Sequence, residues 1–233
     1  FKYIDNYALK TVNKVVVNSD DLKNYLINKR NITANKINVI NHFSPFMKSN
    51  YVPNFELNNI FYAGNTGRPQ NLTAFVRYFQ KHFPSDWKLD IYGAGQEFNN
   101  LSEFSNENIR INNYLERKEL ENVTKEIPFA LICLDYEITF EGFPGKTFDY
   151  LNMNKVLINF SNPNSVVSKL IDKYGLGFNI DLENPKSLRG KLEDMKSSNE
   201  ISKILENIKY FQESVSNKEI AFKSYLGLIS SSS

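Results

Sequence analysis

The chain has a single cysteine, Cys133, among its 233 residues. That excludes an intrachain disulfide and any metal site built from several thiolates. Cys133 lies inside the apolar run 129–134 and reads as an inert core residue. Histidine is nearly as scarce. His42 stands at a strand end and His82 at a helix end, the first reading as structural or exposed rather than catalytic and the second as a helix C-terminal cap. No Ser/His/Asp pattern accompanies them, so triad hydrolysis has little support. Arginine is thin, six residues against 22 lysines, and the net charge is only +2. A dedicated nucleic-acid binder would carry a strongly basic face, so no nucleic-acid partner is expected. No apolar run approaches the length that crosses a bilayer, and no signal peptide opens the chain, so the expected location is cytoplasmic. The sequons at Asn31, Asn71 and Asn122 are then chance matches in an asparagine-rich chain.

What is present suffices for a packed core: 41% of residues are hydrophobic and 14% aromatic, which argues against disorder. Strand patterns fall over 13–18, 36–40, 59–63, 88–92, 109–112, 129–134, 155–159 and 177–180. Between them lie helical patterns over 19–29, 70–81, 116–125, 146–153 and 166–174. Further helices are expected over 185–196, 200–215 and 218–228, with a frayed tail at 230–233. In the segment 70–81, Leu72, Phe75, Val76 and Phe79 share one face at helical spacing. Residues 41–57, with Pro45 and Pro53 and no clear period, read as a linker. Strands that alternate with helices predict an α/β fold, a Rossmann-like parallel sheet covered on both faces. Ligands bind such sheets beyond the carboxyl ends of the strands.

The most informative segment, 141–151, lies at one of those ends. After the buried strand pattern at 129–134 come Glu141, a Gly/Pro turn through Phe143, Pro144 and Gly145, then Lys146 and Asp149 in a helix. Free backbone N–H groups and the helix dipole make that start an anion site, and Lys146 adds a full charge. The two carboxylates, eight positions apart, stand on either side of such an anion and could grasp hydroxyls. This combination suggests a sugar nucleotide. The same sheet edge collects Gly64, Asn65, Thr66, Gly67 and Arg68 from one loop, Gly93 and Gly95 from another, and Tyr114 and Leu115 from a third. The glycines would turn the chain there whether or not a phosphate binds.

From residue 59 to about residue 193 the order of these motifs resembles the C-terminal half of a GT-B glycosyltransferase of the retaining, family 4-like group. FYAGNTGRPQNL is similar to that family's first strand and glycine loop, and KLDIYGAGQE to its second strand and Gly-x-Gly turn. NIRINNYLERKEL resembles the next strand, loop and helix. EGFPGKTFDYLNMNKVLI resembles the motif of two glutamates separated by seven residues, and LIDKYGLGFNIDLENPKSL the usual tail. The resemblance implies a divided chain. Residues 1–46 would be the last strand, helix and strand of an incomplete N-terminal acceptor domain, and 47–57 a linker. Residues 58–215 would be the nucleotide-sugar-binding domain, and 216–233 a C-terminal helix and tail.

Carried over residue by residue, the resemblance places Glu141 beside the donor sugar and Asp149 on the ribose hydroxyls. Asp149 departs from the family's glutamate by one methylene. Backbone N–H groups from Phe143 through Pro144 and Gly145 to Lys146 match those that hold the diphosphate, which Lys146 would neutralise (Pro144 itself has no N–H to offer). Arg68 is the candidate for the basic residue after the first strand, where the family often places it nearer to this chain's Gln70. Gly64, Asn65, Thr66, Gly67, Gly93 and Gly95 would line the phosphate approach, while Tyr114 and Leu115 would meet the base. The implied activity is transfer of a sugar, with retention, from a nucleotide-diphosphate donor to a glycan or lipid-linked acceptor. UDP is favoured over GDP. The implied setting is synthesis of capsule or related bacterial surface polysaccharide, in the cytoplasm at the inner face of the membrane. No Asp-x-Asp site appears, so no divalent cofactor is expected. Two other readings remain open: a non-catalytic, partner-dependent subunit that activates a companion glycosyltransferase, and a nucleotide-sugar epimerase. The isolated chain is expected to turn over little.

Overall fold

The structure, a computed structural model, describes residues 2–45, 47–138, 142–184, 187–197 and 200–230. Its first element is helix α1 (Lys2–Thr11), which the sequence reading does not anticipate. Strand β1 (Val15–Val17), helix α2 (Asp20–Arg30) and strand β2 (Ile37–Val39) follow, and the two strands pair in parallel. Ser19 caps α2, its Oγ accepting from the Leu22 N–H at 3.1 Å. Asn31 ends the helix in the left-handed region, φ 54°, a conformation that asparagine tolerates better than most residues. Val17, Leu26, Ile32 and Ile37 form a small core of their own there.

Strand β3 (Asn59–Asn65) opens a second sheet. It continues through helix α3 (Leu72–His82), strand β4 (Lys88–Ala94), helix α4 (Phe98–Ser102), strand β5 (Ile109–Asn113) and helix α5 (Arg117–Val123). Strand β6 (Phe129–Cys133), helix α6 (Gly145–Asn152), strand β7 (Val156–Phe160), helix α7 (Val166–Tyr174) and strand β8 (Gly177–Asn179) complete it. Helices α8 (Ser187–Ser197), α9 (Glu200–Ser214) and α10 (Lys218–Ser230) end the described chain. All pairings are parallel, in the order β5-β4-β3-β6-β7-β8. This is the expected Rossmann-like α/β fold. Every residue of β6 and β7 is buried, as is the first five-residue run of β3, the pattern of strands covered on both faces.

Strand order reverses between β3 and β6, and at such a point the loops diverge and leave a crevice. Both β3 and β4 run two residues further than their patterns predict, through Gly64 and Gly93, which are register partners. A Cβ on Gly93 would lie 2.4 Å from the Gly64 carbonyl oxygen. The missing side chain therefore lets the two strand ends stay paired up to the crevice. Between β3 and α3 the chain makes a tight turn over Arg68–Gln70 and a left-handed step at Asn71, φ 46°, so α3 starts later than its periodicity suggests. Helix α4 is the second unanticipated element, a five-residue turn too short to show a period.

The segment 41–57 holds no helix or strand among its described residues, as expected, but it is fastened down. The Ser49 N–H donates to the Asn152 carbonyl at 2.7 Å, and the Asn154 side chain donates to the Ser49 and Tyr51 carbonyls. Behind α6, Phe211 of α9 stacks on Phe148 with ring centroids 6.1 Å apart. The Gln212 side chain donates to the Leu151 carbonyl at 2.6 Å. Helix α6 is thus held from below at its C-terminal end while its N-terminus faces the crevice.

Candidate functional site

Helix α6 is also pinned at its side. The Tyr150 hydroxyl donates to the Ala63 carbonyl at 3.1 Å and accepts from the Ala63 N–H at 2.8 Å. One phenol therefore ties α6 to the end of β3 through both backbone groups of a single residue. Beside that tie is a cavity of about 240 Å³. Of the expected site residues it brings together Gly64, Tyr114, Leu115, Lys146 and Asp149. Ala63, Tyr92, Arg117, Leu120, Tyr150 and Met153 complete the wall.

Lys146 is the unusual group. Its Nζ is buried and has no hydrogen-bond partner among the described residues. It stands 3.7 Å from the centre of the Tyr62 ring. A Cβ on Gly64 would come within 3.0 Å of it, so the glycine makes the room that the amine occupies. Burial pulls its pKa down to about 7. A cation–π contact is worth up to about 2 kcal/mol when desolvated, yet it supplies none of the acceptors that an ammonium's three N–H donors require. No side chain caps the start of α6, and among its first N–H groups that of Thr147 is taken up by the Pro144 carbonyl at 3.0 Å. A cation and a helix start are both groups that suit an anion.

Asp149, one turn along the same helix, has a carboxylate held from two sides. Arg117 Nη1 lies 3.1 Å from its Oδ1, and the Ser44 Oγ donates to the same oxygen at 2.6 Å. His42, from the same segment as Ser44, sets its ring edge-on to Phe148 with centroids 4.9 Å apart. Burial lowers its pKa. Phe143 meets Phe148 perpendicularly, at 5.6 Å, which orients the turn leading into α6. Glu141 lies outside the described residues.

The remaining candidates occupy the loops around the cavity without lining it. Thr66 is fully buried and binds the neighbouring loop through Ala94 and Glu97, while its Oγ1 has no partner among the described residues. Asn65 receives the Tyr62 hydroxyl on its carbonyl. The Gly67 N–H donates to the Gln70 side chain at 3.1 Å, which closes the turn. Gly95, at φ +147°, passes so close to Asn65 that a Cβ would meet the amide oxygen at 2.4 Å. Arg68 points elsewhere: its side chain is 86% exposed and lies 4.0 Å from Glu97. Arg117, Tyr62 and Tyr150 are the site residues that the sequence reading missed. Among the described residues there is no group of three or more His, Cys, Asp or Glu able to hold a metal ion, and no helix long and apolar enough to cross a membrane.

No protein-family model matches the chain, and no curated protein sequence does. Solved structures do. Anabaena HepE, in complex with UDP and glucose, superposes with a TM-score of 0.77 at 10% identity, over 99% of this chain and 66% of that one. The pneumococcal O-GlcNAc transferase GtfA, in complex with UDP and GlcNAc, gives 0.68 at 16%, over 96% and 47%. A variant of S. aureus TarM, bound to fondaparinux, α-GlcNAc-glycerol and UDP, gives 0.72 at 15%, over 98% and 46%. The chain thus spans between about half and two thirds of the length of these proteins. At such low identity the shared property is architecture, and the fold of this chain is that of the C-terminal, Rossmann-like half of the GT-B glycosyltransferases.

Proposed function

We propose that the chain is the donor-binding half of a glycosyltransferase that uses a nucleoside-diphosphate sugar, UDP-linked in preference to GDP-linked. The observation that carries this reading is the buried Lys146 amine at the start of α6, without a hydrogen-bond partner among the described residues and facing a cavity at the strand-order reversal. A diphosphate supplies the acceptors that the amine lacks, and the base and ribose then extend toward Tyr114, Leu115 and Asp149. Structures of similar fold that carry UDP support the choice of ligand. In transfer, the bond between the anomeric carbon and the diphosphate oxygen breaks, and negative charge gathers on the departing phosphate. Lys146 and the α6 N-terminus would stabilise that charge in place, and each well-aimed donor of this kind is worth about 3–4 kcal/mol. Arg68 is proposed as a second cation that swings in from the rim. Glu141 is assigned to the donor sugar by its motif alone. Retention, a glycan or lipid-linked acceptor, and a place in bacterial surface-polysaccharide synthesis at the cytoplasmic membrane face belong to the same proposal. So does the division of the chain at 46, 57 and 215. A similar fold in a lipopolysaccharide outer core galactosyltransferase favours the surface-glycan setting.

Calorimetric titration of UDP, GDP, ADP and CMP into the chain, beside Lys146→Ala and Glu141→Ala, tests the reading. Saturable binding of one nucleoside diphosphate, weakened about tenfold or more by Lys146→Ala, is the expected result. A folded chain that binds none of the four contradicts it.

A further inference from the structure

We infer that Arg117 is a positioning residue for nucleotide recognition: it holds Asp149 by one carboxylate oxygen so that the other is presented to the ribose hydroxyls. The inference rests on the reading of this cavity as a nucleotide site.

Arg117 is the first residue of α5, directly after the loop that carries Tyr114 and Leu115 into the cavity wall. Its Nη1 lies 3.1 Å from Asp149 Oδ1. Its Nε donates to Glu121 Oε1 one turn along, at 2.6 Å. The guanidinium is therefore braced from behind and cannot follow Asp149 as a loose surface lysine would. The two side chains are 20% and 28% exposed, so solvent screens their attraction less than that of a surface pair. The Ser44 hydroxyl bonds the same Oδ1 at 2.6 Å. Both contacts fall on one oxygen, and none of the described residues bonds Oδ2. A carboxylate fixed in this way keeps an oxygen for ligand O–H donors, and a ribose diol offers two of them. The aspartate is a methylene shorter than the glutamate that the motif leads one to expect, so it has less reach with which to find a hydroxyl. A carboxylate of limited reach must be aimed, and Arg117 with Ser44 aims it.

The test is a comparison of UDP with 2′,3′-dideoxy-UDP by calorimetry, on the wild-type chain and on Arg117→Met, Arg117→Lys and Asp149→Asn. The wild type should bind UDP about tenfold or more tightly than the dideoxy compound, since hydrogen bonds to a charged group are the strong ones. Arg117→Met should reduce that ratio to roughly threefold or less, by weakening UDP more than the dideoxy compound. Arg117→Lys should restore part of the ratio. Asp149→Asn, close to isosteric, should erase the ratio by itself, and Arg117→Met added to it should change the ratio no further. A ratio that survives Arg117→Met, or the loss of both ligands in equal proportion, would overturn the inference and leave the nucleotide site standing. Failure of the folded wild type to bind either ligand would overturn the site and the inference together.

Discussion

Two buried lysines show how partners decide what burial costs. Lys155 and Lys146 are both pulled down to about 7 by desolvation. Lys155 Nζ, however, donates to the carbonyls of Thr124, Lys125 and Ile127, each at 2.8 Å, and so ties the connection between α5 and β6 to the start of β7. Lys155→Met should leave those carbonyls short of a donor and cost about 2–3 kcal/mol in chemical denaturation. Lys146→Met should do the opposite. Among the described residues its amine has no hydrogen bond to lose, so removing it should add about 1–2 kcal/mol, or roughly 2–8 °C of Tm. The pH dependence follows from the direction of the shift. Between about pH 7 and 10.5 the unfolded chain keeps a proton on Lys146 that the folded chain releases, so stability rises with pH across that window. The gain from Lys146→Met should accordingly be largest below pH 7 and fade toward 10.5. Tyr62 and Cys133, the titratable groups beside the amine, are pushed up by burial and stay neutral there.

At the scale of elements, the site depends on how α6 is seated against β3. Tyr150→Phe removes a buried hydroxyl that satisfies both the N–H and the carbonyl of Ala63. We expect a loss of about 2–3 kcal/mol in a denaturant titration, together with weaker nucleotide binding as the helix start drifts. A binding constant left unchanged would separate the clamp from the site. Most of this seating was legible in the sequence. The alternation of strands and helices gave the sheet, and the turn at 142–146 marked the helix start with Lys146 inside it. The clamp was not legible, because Tyr150, beside Leu151 and near Phe148, reads as an ordinary core aromatic. Arg117 was hidden for the opposite reason: in the charged stretch 116–121 it looks like one more solvated helix residue. Helix α1 left a faint trace, Tyr3, Ile4, Tyr7 and Ala8 at helical spacing, with no cap to announce it. Arg68 shows the limit of reading by loop position: it sits in the expected loop but faces solvent.

At the scale of the whole molecule, a sheet whose order reverses between β3 and β6 must keep its strands in register for the crevice to have fixed walls. Asp90 of β4 is fully buried and joined to Arg110 of β5 and Asn59 of β3. Asp90→Ala would strip both neighbours of their partner and should cost about 2–4 kcal/mol, read as a drop in Tm and in denaturation midpoint. A drop of less than about 1 kcal/mol would show that hydrophobic packing alone holds the register. The central claim, that the buried Lys146 amine is the diphosphate receptor, is tested most directly by titrating UDP at pH 8 in two buffers of different ionisation enthalpy. The account predicts uptake of about one proton per UDP bound, as Lys146 recovers its charge against the phosphates, and no uptake in Lys146→Met. Binding of UDP without proton uptake, and with the same affinity in Lys146→Met, would contradict it.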